Sequence, residues 1–135
     1  MKVIPAIQTY MTYLPKTIGF DQTLAQASDY MKELNVRHLP VLEAGKLVGI
    51  ISERDINLVL KFKDSDSSKM TVLETYTANP YFTSPKTPIN EVVAHMASKK
   101  FGCAIIVDNE HVVGIFTEID AYKALSDILE TRFNH

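Results

Sequence analysis

The chain has 135 residues, 46% of them hydrophobic and 22% charged, which excludes a disordered segment and leaves room for one domain or two very small ones. Fourteen basic against 16 acidic residues give a net charge of −2, so nothing builds the positive surface that nucleic acid requires. No window approaches the roughly 18 uninterrupted apolar residues of a membrane span.

An extended piece after Pro15 opens the pattern. Asp21 and Thr23 then precede Leu24, Ala27, Ser28, Met31 and Leu34, a 3.6-residue stripe that predicts a helix. Two apolar runs follow, Leu39 to Leu42 and Leu47 to Ile51, around the turn Glu43-Ala44-Gly45-Lys46, and read as paired strands. Ile56, Val59 and Leu60 mark a second helix. Asp64-Ser65-Asp66-Ser67-Ser68-Lys69 has no apolar period and reads as a linker. Beyond it the order starts again. An extended piece follows Pro80, then a helix with Ile89, Val92, Val93 and Met96 on one face. Strands Ala104 to Val107 and Val112 to Phe116 flank Asp108-Asn109-Glu110-His111, before a helix carrying Ala121, Ala124, Leu125, Ile128 and Leu129. Each half is strand, helix, strand, strand, helix.

The halves are copies. Val48-Gly49-Ile50-Ile51-Ser52-Glu53-Arg54-Asp55 returns as Val113-Gly114-Ile115-Phe116-Thr117-Glu118-Ile119-Asp120 at an offset of 65 (Gly49 to Gly114). Without a gap that offset also aligns Thr12 with Thr77, Pro15 with Pro80, Leu24 with Ile89, Met31 with Met96 and Val41 with Ile106. The expected division is a first repeat over 1–63, a linker over 64–69 and a second repeat over 70–135. Each repeat alone is marginal in size and leaves a sheet face uncovered. The expected fold is therefore α+β, two β-α-β-β-α repeats packed sheet to sheet with pseudo-twofold symmetry.

The tetrads Ser52-Glu53-Arg54-Asp55 and Thr117-Glu118-Ile119-Asp120 stand where a strand gives way to a helix. Their hydroxyl and acid can simply cap that helix. The same geometry can hold a sugar-phosphate: free amides and the positive helix end suit phosphate, and a carboxylate accepts from a ribose diol. Apolar strand residues ahead of the turn suit a purine, and Gly49 and Gly114 would let a ligand approach the backbone.

Gly-x-x-Ser/Thr-x-x-Asp closing a strand–helix–strand–strand–helix unit, in tandem, resembles the cystathionine β-synthase (CBS) domain pair, or Bateman module. Tyr10-Met11-Thr12, Val36-Arg37-His38-Leu39-Pro40-Val41 and Leu47-Val48-Gly49-Ile50 fit as well, and the resemblance spans about Val3 to Leu129. It implies a stand-alone regulatory protein, an energy sensor if its ligands are AMP, ADP or ATP, binding these or S-adenosylmethionine in clefts between the repeats. It also implies a homodimer and an effector protein that reads the bound state. For one site the resemblance puts Asp55 on the ribose, Ser52 and Arg54 on phosphates, and Thr17, Ile18, His38, Leu39 and Pro40 around the base. For the other it puts Asp120 on the ribose and Thr117 near phosphates, with Thr83, Cys103 and Ala104 around the base. The second copy departs from the pattern: Ile119 replaces the basic residue, and Gly102-Cys103-Ala104-Ile105 stands where Arg37-His38-Leu39-Pro40 stood. The first site is expected to hold phosphorylated ligands more tightly.

The lone Cys103 excludes an internal disulfide framework and a Cys-based zinc site within one chain, and it reads as a small buried hydrophobe. His38, His95, His111 and His135 are scattered without ligand spacing, so no metal is expected. Met11, Met31, Met70 and Met96 read as gap-fillers. Tyr76, Tyr81 and Phe82 either cover the cleft or pack in the core. With no catalytic constellation, no required cofactor and no signal-peptide-like run in Met1-Lys2-Val3-Ile4-Pro5, the expectation is a cytoplasmic non-enzyme. It meets neither nucleic acid nor membrane. The rival reading is a ligand-free module for dimerisation or protein interaction.

Overall fold

The computed structural model describes residues 3–62 and 66–133; Asp64 and Ser65 of the expected linker, and His135, lie outside the described residues. In chain order the elements are β1 (Thr12–Tyr13), β2 (Ile18–Gly19), α1 (Leu24–Leu34), β3 (His38–Glu43), β4 (Lys46–Ser52), α2 (Glu53–Leu60), β5 (Thr77–Ala78), β6 (Phe82–Thr83), α3 (Ile89–Lys99), β7 (Cys103–Asp108), β8 (His111–Thr117) and α4 (Glu118–Phe133). The class is α+β.

Local chemistry accounts for the boundaries. Thr23 starts α1 with a capping box: its hydroxyl accepts from the Gln26 amide at 3.1 Å, and the Gln26 side chain accepts from the Thr23 amide at 3.0 Å. The helix stops at Asn35, in the left-handed region at φ 54°. α3 begins after Pro88, which lacks a side-chain cap, and the Ile89 amide is taken by the Pro5 carbonyl at 2.9 Å. Met70 does the same for Leu24 at 2.9 Å. The repeat extends into the backbone: the positive-φ positions fall into the pairs Leu14/Asn79, Asn35/Lys100, Ala44/Asn109 and Gly45/Glu110.

Two four-stranded sheets result, ordered β2-β3-β4-β5 and β1-β8-β7-β6. In each, the short opening strand runs parallel to the first hairpin strand, Ile18 opposite Val41 and Phe82 opposite Ile105. The outer strand is exchanged. β1, near the start of the first copy, pairs antiparallel with β8 of the second, and β5, near the start of the second, pairs with β4 of the first. The packed units are accordingly cut differently from the copies 1–63 and 70–135. One unit runs from Pro15 to Pro80; the other joins residues up to Leu14 to those from Tyr81 onward. The reason is hydrogen bonding: an unpaired hairpin edge is filled by the nearest extended segment, and the repeat pattern does not say whose that is.

Each unit has its own core. Ile18, Leu24, Met31, Leu39, Val41, Ile51, Ile56 and Val72 fill one; Ile7, Met11, Ile89, Val92, Met96, Ile106 and Phe116 fill the other. Met11, Met31 and Met96 are buried, and Met70, Tyr76 and Tyr81 pack partly buried against these clusters, whereas Phe82 is exposed. The helical stripes are narrower than the periodicity suggests. Leu34, Leu60, Val93, Leu125 and Leu129 are exposed, because α1, α2 and α3 bury only part of their stripes, and α4 turns its small residues, Ala121 and Ala124, inward. The N-terminal segment is also tied to α4: the Tyr10 hydroxyl donates to Asp127 Oδ2 at 2.6 Å. That bond raises the Tyr10 phenol above its ordinary range.

Candidate functional site

Antiparallel registers set the candidate residues beside one another. Ser52, the last residue of β4, faces His38, and Thr117, the last of β8, faces Cys103. His38, Ser52, Asp55, Thr117 and Asp120 are half-buried and Arg54 is exposed, so each turn offers polar groups at the surface. The expected base-lining residues divide. Ile18, Leu39, Pro40, Cys103 and Ala104 are buried and offer a ligand only their backbone, while Thr17 and Thr83 are half-buried. Thr83 pairs with Ile106, three residues along β7 from Cys103, and its hydroxyl shares a 2.7 Å bond with that of Thr87.

Both tetrads cap helices. The Asp55 amide donates to Ser52 Oγ at 3.0 Å, and Asp55 Oδ2 accepts from the Ser52 amide at 3.2 Å. In the second, the Asp120 amide donates to Thr117 Oγ1 at 3.4 Å, and Asp120 Oδ2 accepts from the Thr117 amide at 3.0 Å. These are capping boxes. Asp55 Oδ1 makes no hydrogen bond to a described residue and stays available. Asp120 is more occupied: Thr12, reaching in from β1, donates its hydroxyl to Oδ1 at 3.2 Å and lies 3.3 Å from Oδ2. The sequence pattern marked Thr12 only as the repeat partner of Thr77 and part of the family motif, not as a neighbour of Asp120, because that place depends on the strand exchange.

Three expectations are corrected. The first-turn amides of α2 are not all free, since that of Glu53 is taken by the Arg37 carbonyl at 2.8 Å. The apolar residues Ile51, Ile115 and Phe116, ahead of the turns, are buried in the cores rather than open to a purine. The space over the two glycines is filled: a Cβ on Gly49 would meet the Tyr76 ring, and one on Gly114 the Met11 side chain. These glycines admit the exchanged segments, not a ligand.

Arg54 forms no ion pair or hydrogen bond with a described residue, which leaves its guanidinium for solvent or an anion. Ile119, its counterpart, is 58% exposed and offers no charge. Cys103 is pushed up to about 12, chiefly by burial and then by Glu118, so its thiol stays protonated and is a poor nucleophile. Among the described residues no group of three His, Cys, Asp or Glu side chains could hold a metal ion. No helix there is long and apolar enough to cross a membrane.

The sequence profile described as the CBS domain matches residues 7–61 and 73–127. A protein from Vibrio cholerae assigned to acetoin utilization (AcuB) is 27% identical, with a TM-score of 0.86 over 98% of both chains. The CBS domain pair of protein MJ0100, solved with 5′-methylthioadenosine and S-adenosyl-L-methionine, is also 27% identical; its TM-score is 0.83 over 93% of this chain and 98% of that one. Protein MJ0188 of Methanocaldococcus jannaschii is 29% identical over 119 residues, which span 87% of this chain and 43% of the relative's length.

Proposed function

Because the chain belongs to the CBS domain family, we propose that it is a regulatory binding module, not an enzyme, which takes an adenosine-containing ligand at the Ser52–Asp55 and Thr117–Asp120 turns. The observation that carries this reading is the doubled capping turn, with an acceptor to spare in the first: among the described residues nothing bonds to Asp55 Oδ1, beside the start of α2, while its Oδ2 does the capping. A free carboxylate oxygen next to a hydroxyl and a helix N-terminus suits a ribose with an attached anionic group. The MJ0100 pair holds two adenosine derivatives, which supports that ligand class over other small molecules. Binding acts by differential affinity: ligand favours one conformation, and an effector protein responds to it.

The turns are unequal. Arg54 adds a charge-assisted bond to phosphate, worth about 1.5–3 kcal/mol, and Ile119 adds none. AMP, ADP and ATP therefore belong at the first turn, and compounds without phosphate, such as S-adenosylmethionine, fit the second as well. A thermal-shift and calorimetric panel of these ligands tests the reading. Saturating ligand, at a hundred times its dissociation constant, stabilises the protein by about 2.7 kcal/mol. Asp55→Ala abolishes the AMP response, and Arg54→Ala weakens AMP by tenfold or more while sparing adenosine. Undiminished AMP affinity in Arg54→Ala defeats the assignment of phosphate to the first turn.

A second reading has its own support. The capping boxes are complete without ligand, and α4 exposes Ile119, Tyr122, Leu125, Leu129 and Phe133, spaced at three and four residues along one stripe. Such a face suits a homodimer, and the two readings are compatible. A dimer by sedimentation, with no melting shift for any adenosine compound, would leave the dimerisation reading alone.

A further inference from the structure

We propose that Thr12 sets the ligand preference of the Asp120 turn, by giving its carboxylate a protein hydroxyl where a ribose hydroxyl would otherwise bond; the inference rests on the reading of that turn as a riboside site. An ionised carboxylate only accepts, so any hydroxyl that approaches it must donate, and hydroxyls compete for its lone pairs. At Asp120 the Thr12 hydroxyl lies 3.2 Å from Oδ1 and 3.3 Å from Oδ2, astride both oxygens that a vicinal diol would address. Oδ2 also accepts from the Thr117 amide at 3.0 Å and from the Thr117 hydroxyl at 3.3 Å. At Asp55 the arrangement is open. No hydrogen bond joins it to Thr77, the counterpart of Thr12, and no described residue bonds to its Oδ1. The two acids thus differ in what already bonds to them, although the turns share one pattern.

The contact is also built to yield. Thr12 is exposed and sits in a two-residue edge strand, held to β8 by its pairing with Ile115 and by the Leu14 amide on the Val113 carbonyl at 3.0 Å. A hydroxyl there rotates into water without disturbing a core. A riboside reaches Asp120 by displacing it, and the cost is one long, solvent-exposed hydrogen bond, a factor of roughly two- to tenfold in affinity. The diol therefore contributes less at Asp120 than at Asp55.

The experiment uses the full chain with Asp55→Ala, so that only the Asp120 turn is read, and titrates adenosine and 2′,3′-dideoxyadenosine by calorimetry. Adding Thr12→Val removes the hydroxyl at nearly constant shape. It tightens adenosine roughly two- to tenfold and leaves dideoxyadenosine unchanged, whereas Thr12→Ser keeps the affinities of the parent. Thr12→Ala provides a second removal should the valine variant melt early. Unchanged or weaker adenosine binding, or an equal shift for both nucleosides, overturns the proposal. Asp55-dependent binding of adenosine in the unsubstituted chain, with none left in Asp55→Ala and none gained with Thr12→Val, overturns it while the first turn stands. Absence of binding in every protein, the unsubstituted chain included, overturns the riboside reading itself and the proposal with it.

Discussion

A Cβ on Gly49 would run into the Tyr76 ring and the Thr77 carbonyl oxygen, and a Cβ on Gly114 into the sulfur and methyl of Met11. Each glycine lies in a hairpin strand beside the exchanged segment, so the missing side chain is what lets β5 and β1 reach their edges. The obstacles differ in stiffness. Met11 is an unbranched thioether with room to change rotamer, whereas the neighbours of Gly49 are an aromatic ring and a backbone carbonyl already placed in the sheet. Overpacking costs about 1–3 kcal/mol, so Gly114→Ala is expected near the lower end and Gly49→Ala at or above the upper. Urea melts of the two variants check that order. Equal losses would mean that the Met11 side chain is held as firmly as the sheet.

Among the elements, β1 combines a functional contact with backbone strain. It is followed by Leu14, at φ 47° and 78% exposed. An L-residue with a bulky side chain pays about 1–2 kcal/mol in the left-handed region, and Leu14 recovers little of that through packing. The matching position after β5 is Asn79, at φ 55°, a residue that tolerates this conformation. Leu14→Asn is therefore expected to stabilise the protein by about 0.5–1 kcal/mol, read as a higher urea midpoint at unchanged slope. A loss of stability would show that the Leu14 side chain has a partner worth more than the strain. α2 and α4 show the complementary case: each starts at a capping box, yet only α4 continues far enough to present a long apolar stripe outward.

For the whole molecule, the strand exchange makes the N-terminal segment part of the second copy's structure. Ile7 is fully buried in the core with Ile89, Val92, Met96 and Phe116, and its amide bonds to the Thr87 carbonyl at 2.7 Å. Ile7→Ala should cost about 2–5 kcal/mol. Native-state hydrogen exchange should quicken in β7 and β8 before β3 and β4. Faster exchange confined to β3 and β4 would instead assign residues 3–14 to the first copy's core.

The fold class, the order strand–helix–strand–strand–helix and the two capping turns were all legible in the residues. Hydrophobic period, turn residues and the Ser/Thr-x-x-Asp spacing act over a few positions, and a 65-residue repeat makes each signal appear twice. The pairing of β1 with β8 and of β5 with β4 was not legible: each strand is two residues long, and no local preference says which edge it will join. That pairing decided what followed from it, namely the cut between units, the filled space over Gly49 and Gly114, and the Thr12 hydroxyl on Asp120. Burial was in part settled in three dimensions, since Leu39 and Ala104 sit next to the turns in register yet face the core. Short-range spacing thus determined which groups stand at each turn, while long-range strand pairing determined which of them are still free to bond.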